Sequence, residues 1–214
     1  MKRGSGNIIT EKRNTGSFKS INVGGGFSVE LKTGPTEVIV ESDDNIIKYI
    51  ETEVENGQLK VRLRHLTSIS DAHMKVYISS PEINNIDASA SADIEVKDVL
   101  RSEGAIELHS SSGSSINAKL DAPEVIVNAS SAGGMDLSGR TRDLKATSSS
   151  GATINAKELL SENAVINASS GASAHVHASL SIDANASSGG NISYRGGATN
   201  VKKSESSGGG VEKE

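Results

Sequence analysis

Seven serines recur at one point of a repeating phrase: Ser89, Ser111, Ser130, Ser149, Ser169, Ser187 and Ser206. A nucleophilic serine needs a base and an orienting acid within hydrogen-bond reach. A residue that returns in every repeat cannot have both each time. These positions therefore read as tight corners, where a small side chain lets the backbone turn and its hydroxyl can serve bend backbone groups. His175 and His177 are spaced to share one strand face, but two imidazoles are too few for a metal centre, and the chain has no Cys to complete one. They read as solvated surface histidines. Gly133-Gly134-Met135-Asp136 occurs once, without the period of a calcium-binding nonapeptide. Gly24-Gly25-Gly26 precedes a strand pattern rather than a helix, so it is no phosphate loop. Arg140, Arg142 and Asp143 form one basic and acidic cluster. They lack the aromatic subsites and paired carboxylates that a polysaccharide-cleaving β-helix would need. The reading is a chain with no catalytic residue, no metal and no cofactor.

The elements that carry these residues follow from periodicity. Three residues after the Gly or Ala of each corner stands a mostly apolar residue: Ile94, Ile116, Met135, Ile154, Ala174, Ile192 and Val211. Their intervals are 22, 19, 19, 20, 18 and 19 residues. A unit of that length cannot bury its apolar side alone, so neighbours must stack into a solenoid. Eight positions earlier runs a second inward column, Ile86, Leu108, Val127, Ala146, Ile166, Ala184 and Lys203. Two positions after the first column come Val96, Ala118, Leu137, Ala156, Val176 and Tyr194. Alternation of this kind marks β-strands, two per repeat across the Ser/Gly corner. A third side is expected through Leu100, Leu120, Leu159 or Leu160, and Leu180. Stacked in parallel at about 4.8 Å, seven coils span about 34 Å. Right-handed winding is the expected hand of parallel crossovers.

Composition agrees with a thin core. Apolar residues make up only 35% of the chain and aromatics 2%, too few for a bulky globular interior but enough for a rod filled with Ala, Ser, Val and Ile. The net charge of −5 offers no basic track for nucleic acid. No stretch is long and apolar enough to span a bilayer as a helix.

In chain order, residues 1–16 read as a flexible leader, residues 17–80 as an N-terminal β cap, and residues 81–214 as the repetitive solenoid, with 17–214 one continuous domain. Within the cap, Asp43-Asp44-Asn45 before Ile46, Ile47 and Ile50 predicts a short capped helix. Asn56-Gly57 predicts a hairpin turn, residues 64–73 a loop, and Met74, Val76 and Ile78 a strand closed by Pro81. At the other end, Lys203, Glu205 and Lys213 occupy columns that are apolar or small elsewhere, so the last coil reads as a charged terminus that discourages strand pairing. No apolar run follows the charged Met1-Lys2-Arg3 start. The chain is either cytoplasmic or a mature fragment without its export signal.

Two outward columns are rich in amides and hydroxyls. One holds Asp87, His109, Asn128, Thr147, Asn167, Asn185 and Ser204; the other holds Glu95, Asn117, Asp136, Asn155, His175, Ser193 and Glu212. Stacked Asn can form amide ladders that stabilise the rod. The functional alternative is a flat polar surface for a glycan or a protein, with Asn128, Thr147, Asn167, Asn185, Asn117, Asn155 and His175 as candidate contacts. Aromatic platforms for sugars are scarce: Phe18, Phe27, Tyr49, Tyr77 and Tyr194 are the whole stock, and Tyr194 is in an inward column.

Phe18-Lys19-Ser20-Ile21-Asn22-Val23-Gly24, then Phe27, Val29, Leu31 and Gly34, then Val38-Ile39-Val40-Glu41-Ser42-Asp43 running into Asn45-Ile46, resembles the head GIN domain. The Ala-Ser-Ser-Gly repeats are typical of the later part of that family of auto-transporter adhesins. The resemblance implies an all-β, right-handed parallel β-helix over residues 17–214. It also implies export to the bacterial cell envelope, at the periplasm or cell surface, often behind a secretory or lipoprotein signal. It supplies no catalytic residues. The resulting expectation is a non-enzymatic adhesin or surface scaffold. The alternatives are a polysaccharide-active β-helix enzyme and a polymer-forming scaffold, and homo-oligomers are allowed.

Overall fold

The structure, a computed structural model, describes residues 2–64 and 68–214. It is an all-β solenoid of about six turns, 66% strand with essentially no helix. The N-terminal part contains β1 (Lys2–Arg3), β2 (Ile8–Arg13), β3 (Ser20–Gly24), β4 (Ser28–Thr33), β5 (Glu37–Asp43), β6 (Ile50–Glu55), β7 (Gln58–Leu63), β8 (Ile69–Ser70) and β9 (Met74–Ser80). The winding part follows with β10 (Asn85–Ser89), β11 (Asp93–Arg101), β12 (Ala105–Ser110), β13 (Ser115–Ala129), β14 (Gly134–Ser148) and β15 (Thr153–Ala168). It ends with β16 (Ser173–His177), β17 (Ser181–Ala186), β18 (Asn191–Arg195), β19 (Asn200–Glu205) and β20 (Gly210–Lys213).

The columns read from the sequence are the register of the parallel sheet. Ile94 pairs with Ile116, then Met135, Ile154, Ala174, Ile192 and Val211 in unbroken succession. Ile86, Leu108, Val127, Ala146, Ile166, Ala184 and Lys203 pair likewise. Ile116, Ile154 and Ile192 are all buried. The seven levels of a column are separated by six windings. Unequal intervals are absorbed locally: the register shifts between Glu95 and Val99 in β11, and β15 carries one extra residue, Lys157, opposite β14.

The cap continues the same stacks. Leu59 and Ile21 lie above Ile86, and Val76 and Val29 above Ile94. The Asn56-Gly57 turn joins β6 and β7 with both residues at positive φ, 51° and 76°, as a two-residue hairpin requires. On the third side Leu100, Leu120 and Leu159 are buried, but Leu160 and Leu180 are more than half exposed. Leu180 does not continue that column: β16 stops at His177, and Ala178 takes the buried place.

Two further expectations are corrected. Within the stretch expected as a leader, residues 2–16 carry two paired strands. β2 lies antiparallel along β5, and β1 pairs with β8. The predicted capped helix is a single 3-10 turn, Ile47–Tyr49, with no side-chain cap. Both have one cause. Asp43 Oδ1 accepts from Gly6 N at 2.6 Å, Asp44 accepts from Ser5 Oγ and Asn7 Nδ2, and Asn45 Nδ2 donates to Arg3 O at 2.8 Å. The side chains that would have capped a helix hold the N-terminal segment instead. Of the expected 64–73 loop, residues 65–67 lie outside the described residues, and Ile69–Ser70 form β8.

At the C-terminal end the core is closed by the two charges in inward columns. Lys203 Nζ stands 5.1 Å from the Tyr194 ring centre and donates to Val211 O at 3.2 Å; Glu205 Oε1 accepts from Val211 N at 2.6 Å.

Candidate functional site

Each of the seven Ser-rich corners turns through two consecutive left-handed residues: Ala90-Ser91, Ser112-Gly113, Ser131-Ala132, Ser150-Gly151, Ser170-Gly171, Ser188-Gly189 and Ser207-Gly208. The preceding serine closes the turn with its carbonyl, as in Ala152 N to Ser149 O at 3.1 Å and Ala172 N to Ser169 O at 3.1 Å. Positive φ at both central positions with this bond is the mirror-image turn of tight hairpins. Corner amides also bond from coil to coil, Gly151 N to Ser170 O at 3.1 Å for example. The hydroxyls that satisfy buried backbone belong to inward serines rather than to the corner residues. Ser114 Oγ donates to Ala88 O at 2.8 Å and Ser148 Oγ to Ala152 O at 3.1 Å.

This corner decides which candidate residues meet. Asn128, Thr147, Asn167 and Asn185 stack on the strands before it; Asn117, Asn155 and His175 stack on the strands after it, with Asp136 between the two amides. The seven candidates therefore lie on two faces. Continuous amide ladders do not form. Bonds run in pairs, as in Asn155 Nδ2 to Asp136 Oδ1 at 2.6 Å, and Asn185 Nδ2 turns to Asp183 Oδ1 on its own strand at 3.2 Å.

The second face is concave. Asn117, Asp136, Asn155, Lys157 and His175 line a groove of about 650 Å³ together with the neighbouring outward column Asp93, Ser115, Gly134 and Thr153. Gly134 leaves a gap in that column between the side chains of Ser115 and Thr153. Lys157 enters because of the extra residue in β15, a feature that column counting does not reveal. At one end His175 Nδ1 meets Ser193 Oγ at 2.6 Å, and Ser193 Oγ donates to Glu214 Oε1 at 2.7 Å. Hydrogen bonds from Lys157 and then Ser193 hold the Glu214 carboxyl below its ordinary pKa. With the single hydroxyl proton given to Glu214, His175 must donate to Ser193, which reverses the direction a serine nucleophile needs.

The other chemistry-bearing clusters are tied up. Arg140 is bidentate to Asp121, 2.9 Å on each arm, and holds that carboxyl below its usual range. Arg142 pairs with Asp143 at 2.8 Å, and Asn163 adds a second hydrogen bond, both lowering its pKa. His177 does not face the groove. It lines the depression beside Arg140 and Arg142, with Nδ1 buried and without a hydrogen-bond partner among the described residues. Among the described residues no three His, Cys, Asp or Glu side chains converge as metal ligands.

Solved structures share this architecture. A "putative adhesin" from Bacteroides fragilis superposes with a TM-score of 0.93 at 20% identity, covering 100% of both chains. A "putative lipid binding protein" from Parabacteroides distasonis gives 0.80 at 20% identity, over 100% of this chain and 99% of the other. A "putative adhesin" from the same organism gives 0.80 at 20% identity, over 99% of each. No curated protein matches the chain. The sequence profile described as "Putative auto-transporter adhesin, head GIN domain" matches residues 17–198, and with the solenoid and its Ser-rich corners in place, the chain belongs to that family.

Proposed function

We propose that this chain is a non-enzymatic contact protein of the bacterial cell envelope that binds a glycan through the groove following the Ser-rich corner. The observation that carries this reading is the alignment of Asn117, Asp136, Asn155 and His175 on successive coils along one groove of about 650 Å³. Their spacing of about 4.8 Å per coil presents amide, carboxylate and imidazole groups in a row, which suits an extended polymer of hydroxyl-bearing units. The adhesin descriptions of the family and of two structural relatives support the envelope role. The lipid-binding description of another relative is not taken over, because Asn117, Asp136, Asn155, Lys157 and His175 put polar and charged groups along the length of the groove. Ion pairing of Arg140 and Arg142, and the reversed His175–Ser193 bond, support a role without turnover.

A glycan array probed with the chain tests this. Wild type is expected to bind a subset saturably, and Asn117→Ala with Asn155→Ala is expected to weaken that binding by about tenfold or more. Asn128→Ala with Asn167→Ala, on the other face, should leave it intact. Release of reducing ends from a bound polysaccharide would overturn the non-enzymatic reading.

A further inference from the structure

The cap holds a second depression, on the outer face of β4, β5 and β9, where the outward column that lines the groove runs on from Asn117 through Glu95 and Glu30 to Tyr77. It is about 190 Å³, and Tyr77, Ile39, Ser79, Glu30, Glu37, Lys32 and Lys97 are among the residues that line it. The antiparallel pairing of β5 with β9 sets Ile39 opposite Tyr77 and Glu37 opposite Ser79, while β4 brings Glu30 beside Tyr77. Ser79 is only 3% exposed, yet its Oγ has no hydrogen-bond partner among the described residues. Buried hydroxyls are normally paired, so an orphan lining a depression marks a place for a ligand atom. Gly34 packs closely against that hydroxyl: a Cβ there would stand 2.8 Å from Ser79 Oγ.

The chemistry of the lining selects the ligand. Tyr77 and Ile39 supply an apolar wall, and Glu30 and Glu37 supply acceptor oxygens. Lys97 supplies donors, and Ser79 can do either. Glu37 is paired with Lys12 Nζ at 2.7 Å, Glu30 with Lys75 Nζ at 2.5 Å and Lys97 Nζ with Glu95 at 2.5 Å, so apart from the exposed Lys32 the charges of the lining are balanced. A group with a C–H face and a rim of hydroxyls, uncharged, meets all of these demands. At about 30 Å³ per water the volume is that of about six waters, room for one ring rather than a chain. We propose that this depression binds a single neutral hexose unit, with its C–H face on Tyr77 and Ile39 and a hydroxyl on Ser79 Oγ. The site does not depend on the groove reading.

Saturation-transfer NMR and calorimetry on the whole chain, with the methyl glycosides of glucose, galactose, mannose and N-acetylglucosamine, test it. At least one is expected to saturate in the millimolar range. Tyr77→Ala should weaken it by about tenfold. Ser79→Ala, which keeps the backbone and fills no space, should weaken it by about fivefold. Asn167→Ala, on the face before the corner, should leave it unchanged. The proposal is overturned if none of these glycosides saturates, if binding survives both Tyr77→Ala and Ser79→Ala, or if it is lost with Asn167→Ala instead.

Discussion

Two adjacent residues of β15 give opposite predictions, and the difference rests entirely on the register of the solenoid. Ile154 is fully buried, stacked between Met135 and Ala174; Thr153 next to it points outward and is exposed. Ile154→Ala removes both γ carbons and the δ carbon, about 2.4 kcal/mol at about 0.8 kcal/mol per buried CH2. A cavity term adds to this, because Ala174 below is already small and the β-sheet spacing prevents the coils from collapsing into the gap. The expected loss is about 3–4 kcal/mol, inside the usual range of about 2–5 for such truncations. Against a total stability of about 5–15 kcal/mol, that is a large shift. Thr153→Ala should cost less than about 1 kcal/mol. Urea unfolding followed by far-UV circular dichroism measures both. Comparable losses for the pair, or less than about 1 kcal/mol for Ile154→Ala, would refute the inward assignment and the stacked column with it.

Other consequences are equally direct. Gly190→Ala places a Cβ 2.3 Å from Ala168 O in the neighbouring coil and should cost about 1–3 kcal/mol, lowering Tm. Gly189→Asn meets nothing within 4 Å, and Asn tolerates the φ of +72°, so it should cost less than about 1 kcal/mol. Removing the charged closure with Lys203→Ala and Glu205→Ala exposes the end of the core and its strand edges, so light scattering should show concentration-dependent association absent from wild type. Backbone hydrogen bonds from Gly6, then His73, depress the pKa of buried Asp43. A depressed carboxyl stabilises the folded state above its unfolded pKa and loses that contribution as pH falls through the folded value. The protection factor of the Gly6 amide, the intrinsic exchange rate at each pH over the observed one, should therefore be high at neutral pH and fall below the ordinary Asp range, and Asp43→Ala should abolish that pH dependence.

The rod was legible from the chain because its pattern is local. A repeat of about twenty residues with alternating polarity states which side chains face inward, and the columns of Ile94 and Ile86 match the pairing register at every level. Where the repeat is irregular, legibility ends. Leu180 belongs to a shortened coil and faces outward, and Lys157 reaches the groove only through an extra residue in its strand.

What the sequence by itself determined is the cross-section: small residues at the corner, aliphatic residues in the core, amides and acids outside. Tertiary structure decided which outward columns come together, because the left-handed pair at each corner separates Asn128 from Asp136 onto different faces. It also decided the fate of the N-terminal segment and the cap depression. Both arise from antiparallel pairing among β2, β5 and β9, which backbone hydrogen bonds and the Asp43 carboxylate specify. Pairing of that kind joins residues 30 or more positions apart and leaves no periodic trace in the side chains.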